Sequence, residues 1–540
     1  MLATRKTLWS ADWLAAAILI GLAALFVETV FDYGVTWDED VHDYYGHLVL
    51  QYYSSGLTDL SATTWQNLYQ YGAGFDLTAQ LVASLLPFGQ FESRHVLNIA
   101  VALVGFIGTW KLARLLGGAR AGVLALLLLA TMPNYYGHGF NNPKDVPFAA
   151  ATVWALYYMV LALPTLPRVP LALGAKLGLA IGLALSVRVG GFLLFAYLGL
   201  LLGAAGLLHW HACRDLRGLL GWSLLTGGRF VLPALLVGYA VMLAFWPWAQ
   251  LSPLRHPLHS LAEFSHHAFG MPVLFDGDYY SSDALPWFYL PSYLLIRLPE
   301  VTLLLALLGL ALALARQRLL GRPDARPAAL GLALTAFAAV FPIGYAVAIG
   351  AVLFDGMRHF LFVLPPLACL AGLALDRLLA WLPDRGWRVG LAACLALYAS
   401  YHVSLMVRLH PHQYVYYNAL VGGIGGAQQR YKLDYWANSY AEAVTGLKRH
   451  LVARYGRAGF ERRRFNVAVC GPSTSAAYFF PGNFYLVADR SLANFFIRIE
   501  EVCREVGGRE VARVERLGVR LSTVLELAGP RQSAGRLPPL

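Results

Sequence analysis

Thr36-Trp37-Asp38-Glu39-Asp40-Val41-His42-Asp43-Tyr44-Tyr45 comes shortly after the first membrane-length apolar run, residues 13–31. It sets four carboxylates and an imidazole against a membrane exit, where ionised groups are costly unless they are paired or put to use. The same pairing of apolar runs with polar helix ends recurs down the chain. Most of the sequence is lipid-facing helix, so its chemistry belongs at helix ends and in loops.

Composition sets the class. The 540 residues are 58% hydrophobic and 14% charged, against about 25% charged for an average soluble domain. About eleven runs approach the roughly 20 residues needed to cross a bilayer: 13–31, 95–115, 121–137, 146–166, 171–188, 190–209, 230–249, 299–316, 327–351, 359–380 and 388–407. A polytopic α-helical membrane protein is expected. The net charge of +11 does not point to nucleic acid, because the basic residues fall in short alternate loops. Lys111, Arg114, Arg120, Arg168, Lys176, Arg214, Arg217, Arg316, Arg318, Arg377 and Arg385 mark those loops as cytoplasmic.

That assignment puts the N-terminus in the cytoplasm. Asp38, the loop around Asp145, the stretch 250–298, the Arg358-His359 loop and the tail then lie outside it, in a multi-pass plasma (inner) membrane protein. The first run keeps Glu28 and lacks a clear cleavage site, as a retained signal anchor does. Tyr44–Ser54 and Gln66–Leu86, within the first external loop, have the amphipathic look of interfacial helices.

A membrane domain, 1–408, and an extracytoplasmic α/β domain, 409–540, are expected. In the second, strands are expected at 466–471, 483–487 and 520–527, with helices at 440–455 and 493–506. Cys470 and Cys503 are the cysteines of this tail and could form a disulfide there. Cys213, Cys369 and Cys394 look like small core residues.

Asp38 with Glu39 is either an ordinary helix cap or a general base with its supporting neighbour, taking a proton from an acceptor. Asp40, His42 and Asp43 fit a solvated face or a supporting layer. A second cluster, Asn134-Tyr135-Tyr136-Gly137-His138-Gly139-Phe140-Asn141-Asn142-Pro143-Lys144-Asp145, looks like a turn before a helix start. If active, Lys144 meets a phosphate, while Asp145, with His138 nearby, meets the acceptor, a sugar hydroxyl or a divalent metal; no cofactor is assigned by spacing. Arg188 and Arg358 are cations in apolar surroundings and need an anionic partner. That partner is either a carboxylate, Asp355 for Arg358, or a lipid phosphate.

The chain resembles the GT-C fold, lipid-phosphosugar-dependent glycosyltransferases that unite protein O-mannosyltransferases and aminoarabinose transferases (glycosyltransferase family 39/83-like). Four stretches carry the resemblance in order: Trp37-Asp38-Glu39, Gly182-Leu183-Ala184-Leu185-Ser186-Val187-Arg188, Leu285-Pro286-Trp287-Phe288-Tyr289-Leu290-Pro291, and Arg358-His359-Phe360-Leu361-Phe362-Val363-Leu364-Pro365-Pro366. The resemblance implies inverting transfer of a sugar from a polyprenyl-phosphate donor to an extracytoplasmic protein, lipid or glycan. Asp38 would be the base and Arg188 a phosphate contact, with Trp287, Tyr289 and His359 near acceptor or sugar. The chain departs from the family pattern in having Arg188 where Lys is common, and its tail does not look like a β-trefoil insert. The rival class is a transporter or lipid-linked-sugar flippase, which more often shows internal repeats; none is found.

Overall fold

The structure, a computed structural model, describes residues 2–266, 270–503 and 505–528. Among them nine helices are long and apolar enough to cross a membrane, the first Ala11–Asp32 and the last Arg385–Leu409, and the shorter apolar helices Ala119–Ala130 and Leu171–Leu185 bring the set into one-to-one register with the eleven runs of the sequence. The protein is a multi-pass membrane protein. Side chains such as Trp13, Leu224 and Leu397 are exposed along these helices, as suits positions facing lipid.

The helices that position the site come early in the chain. They are α1 (Leu2–Thr29), α2 (Trp37–Ser54), α3 (Gly74–Leu85), α4 (Gln90–Gly117), α5 (Ala119–Ala130), α6 (Pro133–Asn141), α7 (Asp145–Ala162) and α8 (Leu171–Leu185). With 12 residues, α5 rises only about 18 Å, short of the roughly 30 Å hydrocarbon core. The expected span 121–137 therefore stops early, and Pro133 starts α6, every residue of which is buried. Residues 134–141 are thus a packed helix and not an open turn.

In the first external loop, α2 and α3 form near the expected places, but residues 66–73 are irregular except for a short turn at Leu68–Gln70. His42 Nδ1 lies 2.8 Å from Asp76 and Arg94 Nη2 lies 2.6 Å from the same carboxylate, tying α2, α3 and α4 together. His42 and Asp43 are buried supports, while Asp40 is exposed and accepts a bond from Thr474 Oγ1 at 2.9 Å.

The tail ends in a small α/β domain. A hairpin, β1 (Pro272–Phe275) and β2 (Asp278–Ser281), precedes it in the chain, and its own strands are β3 (Phe465–Val469), β4 (Phe484–Leu486), β5 (Phe495–Ile499), β6 (Arg509–Arg516) and β7 (Val519–Glu526). The sheet order is β4-β3-β5-β7-β6, with β3 parallel to β4 and β5 and the other pairs antiparallel. Tyr440–Glu461 packs on it through Leu447 and Leu451 against Val467, Ile497 and Val524.

The expected helix 493–506 is instead strand β5. Phe495-Phe496-Ile497-Arg498-Ile499 is aromatic and β-branched, and pairing with both β3 and β7 buries it centrally, which outweighs helical periodicity. Strand β6 was not foreseen. Cys369 is buried as expected, whereas Cys213 and Cys394 are exposed on their helices.

Residues 414–417, 424, 427, 431, 433, 435 and 436 join the large membrane-domain core, so the small core proper starts near Ala437. Arg297 locks this strap: Nη1 donates to the carbonyls of Tyr414 (2.6 Å) and Tyr416 (3.2 Å), and the guanidinium lies 3.9 Å from the Tyr417 ring centroid. His412 Nε2 lies 3.0 Å from Glu442, which also pairs with Arg516.

Cys470 and Cys503 are joined, with their Cα atoms 6.4 Å apart. A loop of this length restrains the unfolded chain by roughly 3–4 kcal/mol in the chain-entropy model. The double variant Cys470→Ser/Cys503→Ser should lower the stability of the tail by that order. Proteolysis of residues 437–528 during urea titration measures it, and an unshifted midpoint rejects it.

Candidate active site

Three helix starts converge on one cluster. Asp38 lies in the first turn of α2, Asp145 in the first turn of α7, and Arg358 opens the turn Arg358–Val363 that leads into Leu364–Trp381. Local chemistry fixes each start. Thr36 and Glu39 form a capping box, with the Thr36 N–H donating to Glu39 Oε2 at 2.9 Å. Asn142 Oδ1 accepts the backbone N–H groups of Asp145 (2.8 Å) and Lys144 (3.2 Å).

Arg358 is the hub. Its Nη1 lies 3.0 Å from Asp38 Oδ2 and 3.6 Å from Asp145 Oδ2, and its Nε lies 3.3 Å from Asp355 Oδ2. Arg188 also pairs with Asp145. Arg188 is brought there by a close approach: the Gly74 N–H donates to the Ser186 carbonyl at 2.8 Å, and a Cβ on Gly72 would collide with that carbonyl. Lys144 points its ammonium at Tyr71, 3.8 Å from the ring centroid, and makes no ion pair among the described residues.

Burial pushes the Asp38 carboxyl up, but Arg358, with Lys144 and His42, outweighs it and holds the group below the usual carboxylate range. Asp38 is thus an ionised partner of Arg358. Asp355 goes the other way, raised by burial that Arg358 and Lys432 only partly offset. Burial and the neighbouring Arg188 bring the Lys144 amine down to about 8, against the opposing pull of Asp38.

The remaining candidates divide between cluster and periphery. Glu39 places its carboxylate on the capping box and 2.9 Å from His95 Nε2, which makes it part of the helix start. His138 is buried among Asn142, Trp436 and Tyr435. His359 stands edge-on to Phe354 at 4.7 Å, next to Arg358. Tyr289 supports the cluster from behind, its hydroxyl accepting the Gly356 N–H at 3.1 Å. Trp287 is 71% exposed, its ring edge-on to Phe288 at 5.8 Å.

Sequence reasoning missed Asn142, Tyr71 and Trp436 as site residues and saw Asp355 only as a partner for Arg358. Trp436 comes from the tail, its ring 5.0 Å from the Arg358 guanidinium carbon and its carbonyl accepting the Trp37 N–H at 3.1 Å. A lone aromatic pair after an acid, Asp434-Tyr435-Trp436, carries no periodic signal. As for a metal, the cluster carboxylates face arginines, and among the described residues no three His, Cys, Asp or Glu gather as a donor set.

Residues 74–212 match the family model described as dolichyl-phosphate-mannose-protein mannosyltransferase. That stretch holds His138, Lys144, Asp145 and Arg188, and excludes Asp38 and Arg358. No curated protein matches the chain. Among solved structures, ArnT from Cupriavidus metallidurans in the apo state is 16% identical with TM-score 0.49, covering 95% of this chain and 98% of that one. The Archaeoglobus fulgidus oligosaccharyltransferase in the apo form is 14% identical with TM-score 0.50, covering 89% of this chain and 65% of that one. The chain has the GT-C fold, nine long apolar helices with a small C-terminal sheet region.

Proposed function

We propose that this protein is a membrane glycosyltransferase that moves a sugar from a polyprenyl-phosphate donor to an acceptor outside the cytoplasm, with inversion at the sugar carbon. The family match over 74–212 and the GT-C fold support the class. The observation that carries the reading is the Asp38–Arg358–Asp145 cluster where three helices begin, beside Lys144, which makes no ion pair among the described residues.

In this reading the acceptor hydroxyl or amine attacks the anomeric carbon and passes its proton to Asp38, which is ionised and so able to receive it. The bond from that carbon to the phosphate oxygen breaks, and polyprenyl phosphate leaves. Lys144 meets the departing charge first, because it is not committed to a carboxylate, and Arg358 and Arg188 add to the local positive field. Asp145 holds both arginines in place. The basic loops put the N-terminus in the cytoplasm and this cluster on the opposite side. Sugar and acceptor identity follow from neither fold nor cluster.

Lys144 gives the reading a pH signature. Its amine loses a proton as pH rises through about 8, so the cationic form that attracts phosphate prevails below that value and fades above it. Affinity for polyprenyl phosphate should fall roughly tenfold between pH 7 and pH 9 if the charge is required. Lys144→Arg should flatten that slope. Binding titrations in detergent across this range test it, and a flat wild-type profile would remove Lys144 from the phosphate site.

A further inference from the structure

Asn142 fixes the proton positions on the tail side of the cluster. Its Oδ1 accepts two backbone N–H groups, so its Nδ2 is the atom that faces His138 Nδ1 at 3.1 Å and Asp145 Oδ2 at 2.9 Å. An amide nitrogen only donates, so His138 Nδ1 is an acceptor and carries no proton. Burial lowers the His138 imidazole to about 3, which keeps the ring neutral and leaves its one proton on Nε2. That proton is donated to the Tyr435 hydroxyl oxygen, 3.1 Å away.

Tyr435 therefore keeps its own phenolic proton to give, and among the described residues no acceptor takes it. The neighbouring Trp436 is in the same condition. It is 2% exposed, and its indole Nε1–H has no partner among the described residues. Both lie in the field of Arg358, which stacks on the Trp436 ring. Buried donors without acceptors are rare and costly. Two of them beside a guanidinium offer hydrogens to a ligand that accepts.

The segment is also held firmly in place. Asn438 Oδ1 accepts the Gly34 N–H at 2.8 Å and Asn141 Nδ2 at 3.0 Å, while Asp434 accepts the N–H groups of Asn438 (3.1 Å) and Ser439 (3.0 Å). A Cβ on Gly34 would run into the Asn438 carbonyl, so the approach of the two segments depends on that glycine.

We infer that Tyr435 and Trp436, supplied by the tail, are ligand-binding residues beside the cluster, whose O–H and N–H donate to the phosphate oxygens of the lipid-linked donor. This rests on the glycosyltransferase reading above, and it assigns the tail a direct part in donor binding in addition to covering the site. Tyr435→Phe removes one hydroxyl and keeps the ring; Trp436→Phe removes the N–H and keeps an aromatic face for Arg358.

The test is a titration of the full-length protein in nanodiscs with undecaprenyl phosphate, followed by native mass spectrometry, with undecaprenol as the uncharged control. Wild type should prefer the phosphate. Each Phe variant should lose about tenfold in affinity for it, the order expected for a hydrogen bond to a charged group, with undecaprenol binding and unfolding temperature held. Either variant alone decides, so failure of one to fold leaves the other. If Lys144→Gln weakens phosphate binding while both Phe variants bind like wild type, the inference is overturned and the glycosyltransferase reading stands. If wild type does not distinguish phosphate from alcohol, both fall.

Discussion

Asp38→Asn should lower sugar transfer by roughly 10² or more, the usual scale for removing a general base. The substitution keeps size and shape, and it keeps the first turn of α2, because the capping box is made by Thr36 and Glu39 and not by Asp38. It takes away the one cluster carboxylate that is both ionised and partly open: 27% of the Asp38 side chain is exposed, against 2% for Asp145. Arg358 retains Asp145 and Asp355 as partners, so folding should survive and donor binding should change little. Turnover of purified Asp38→Asn protein near the wild-type rate would remove the base from the scheme.

Arg358→Gln should have the largest effect on stability. It leaves three carboxylates, Asp38, Asp145 and Asp355, facing one another around a side chain that is 5% exposed. Removing one partner of a buried ionic group costs about 3–5 kcal/mol, and Asp145 would keep only Arg188 as an ion-pair partner. Transfer should be lost along with that stability. Arg358→Lys restores the charge but not the fork that reaches several oxygens at once, and it should recover only part of the loss. Thermal unfolding in detergent, paired with transfer assays, measures both; an unfolding temperature equal to wild type in Arg358→Gln protein would mean the carboxylates are balanced by other groups.

Much of the membrane part was legible because hydrophobic length is a local signal. The eleven runs, the start of α7 after Pro143, and the placing of Asp38, Lys144, Asp145, Arg188 and Arg358 together all follow from residues whose cost in an apolar setting demands a reason. What the chain could not disclose is which anion each cation finds. Arg188 and Arg358 were weighed as either carboxylate partners or phosphate ligands, and in the folded protein they pair with carboxylates while Lys144 makes no ion pair among the described residues. That outcome depends on side-chain reach across segments up to 320 residues apart.

The tail was less legible. Strand β5 carries aromatic and β-branched residues that a helical window misreads, and its place in the middle of the sheet is decided by non-local pairing. Trp436 and Tyr435 enter the cluster only because the strap 414–436 is pinned by Arg297 and Asn438, contacts of high sequence separation. The tail was expected as a separate extracytoplasmic domain from residue 409, yet it brings an indole against Arg358.

The most direct test of the central claim is a double-label experiment in proteoliposomes. A polyprenyl-phosphate sugar carrying one label on the sugar and another on the lipid is presented with membranes from a strain lacking the protein as the acceptor source. The account predicts that the two labels separate, with the sugar leaving for an acceptor and the lipid remaining as polyprenyl phosphate, and that Asp38→Asn protein leaves them joined. If the labels stay together with wild-type protein while the lipid changes leaflet, the protein is a transporter and the account is contradicted.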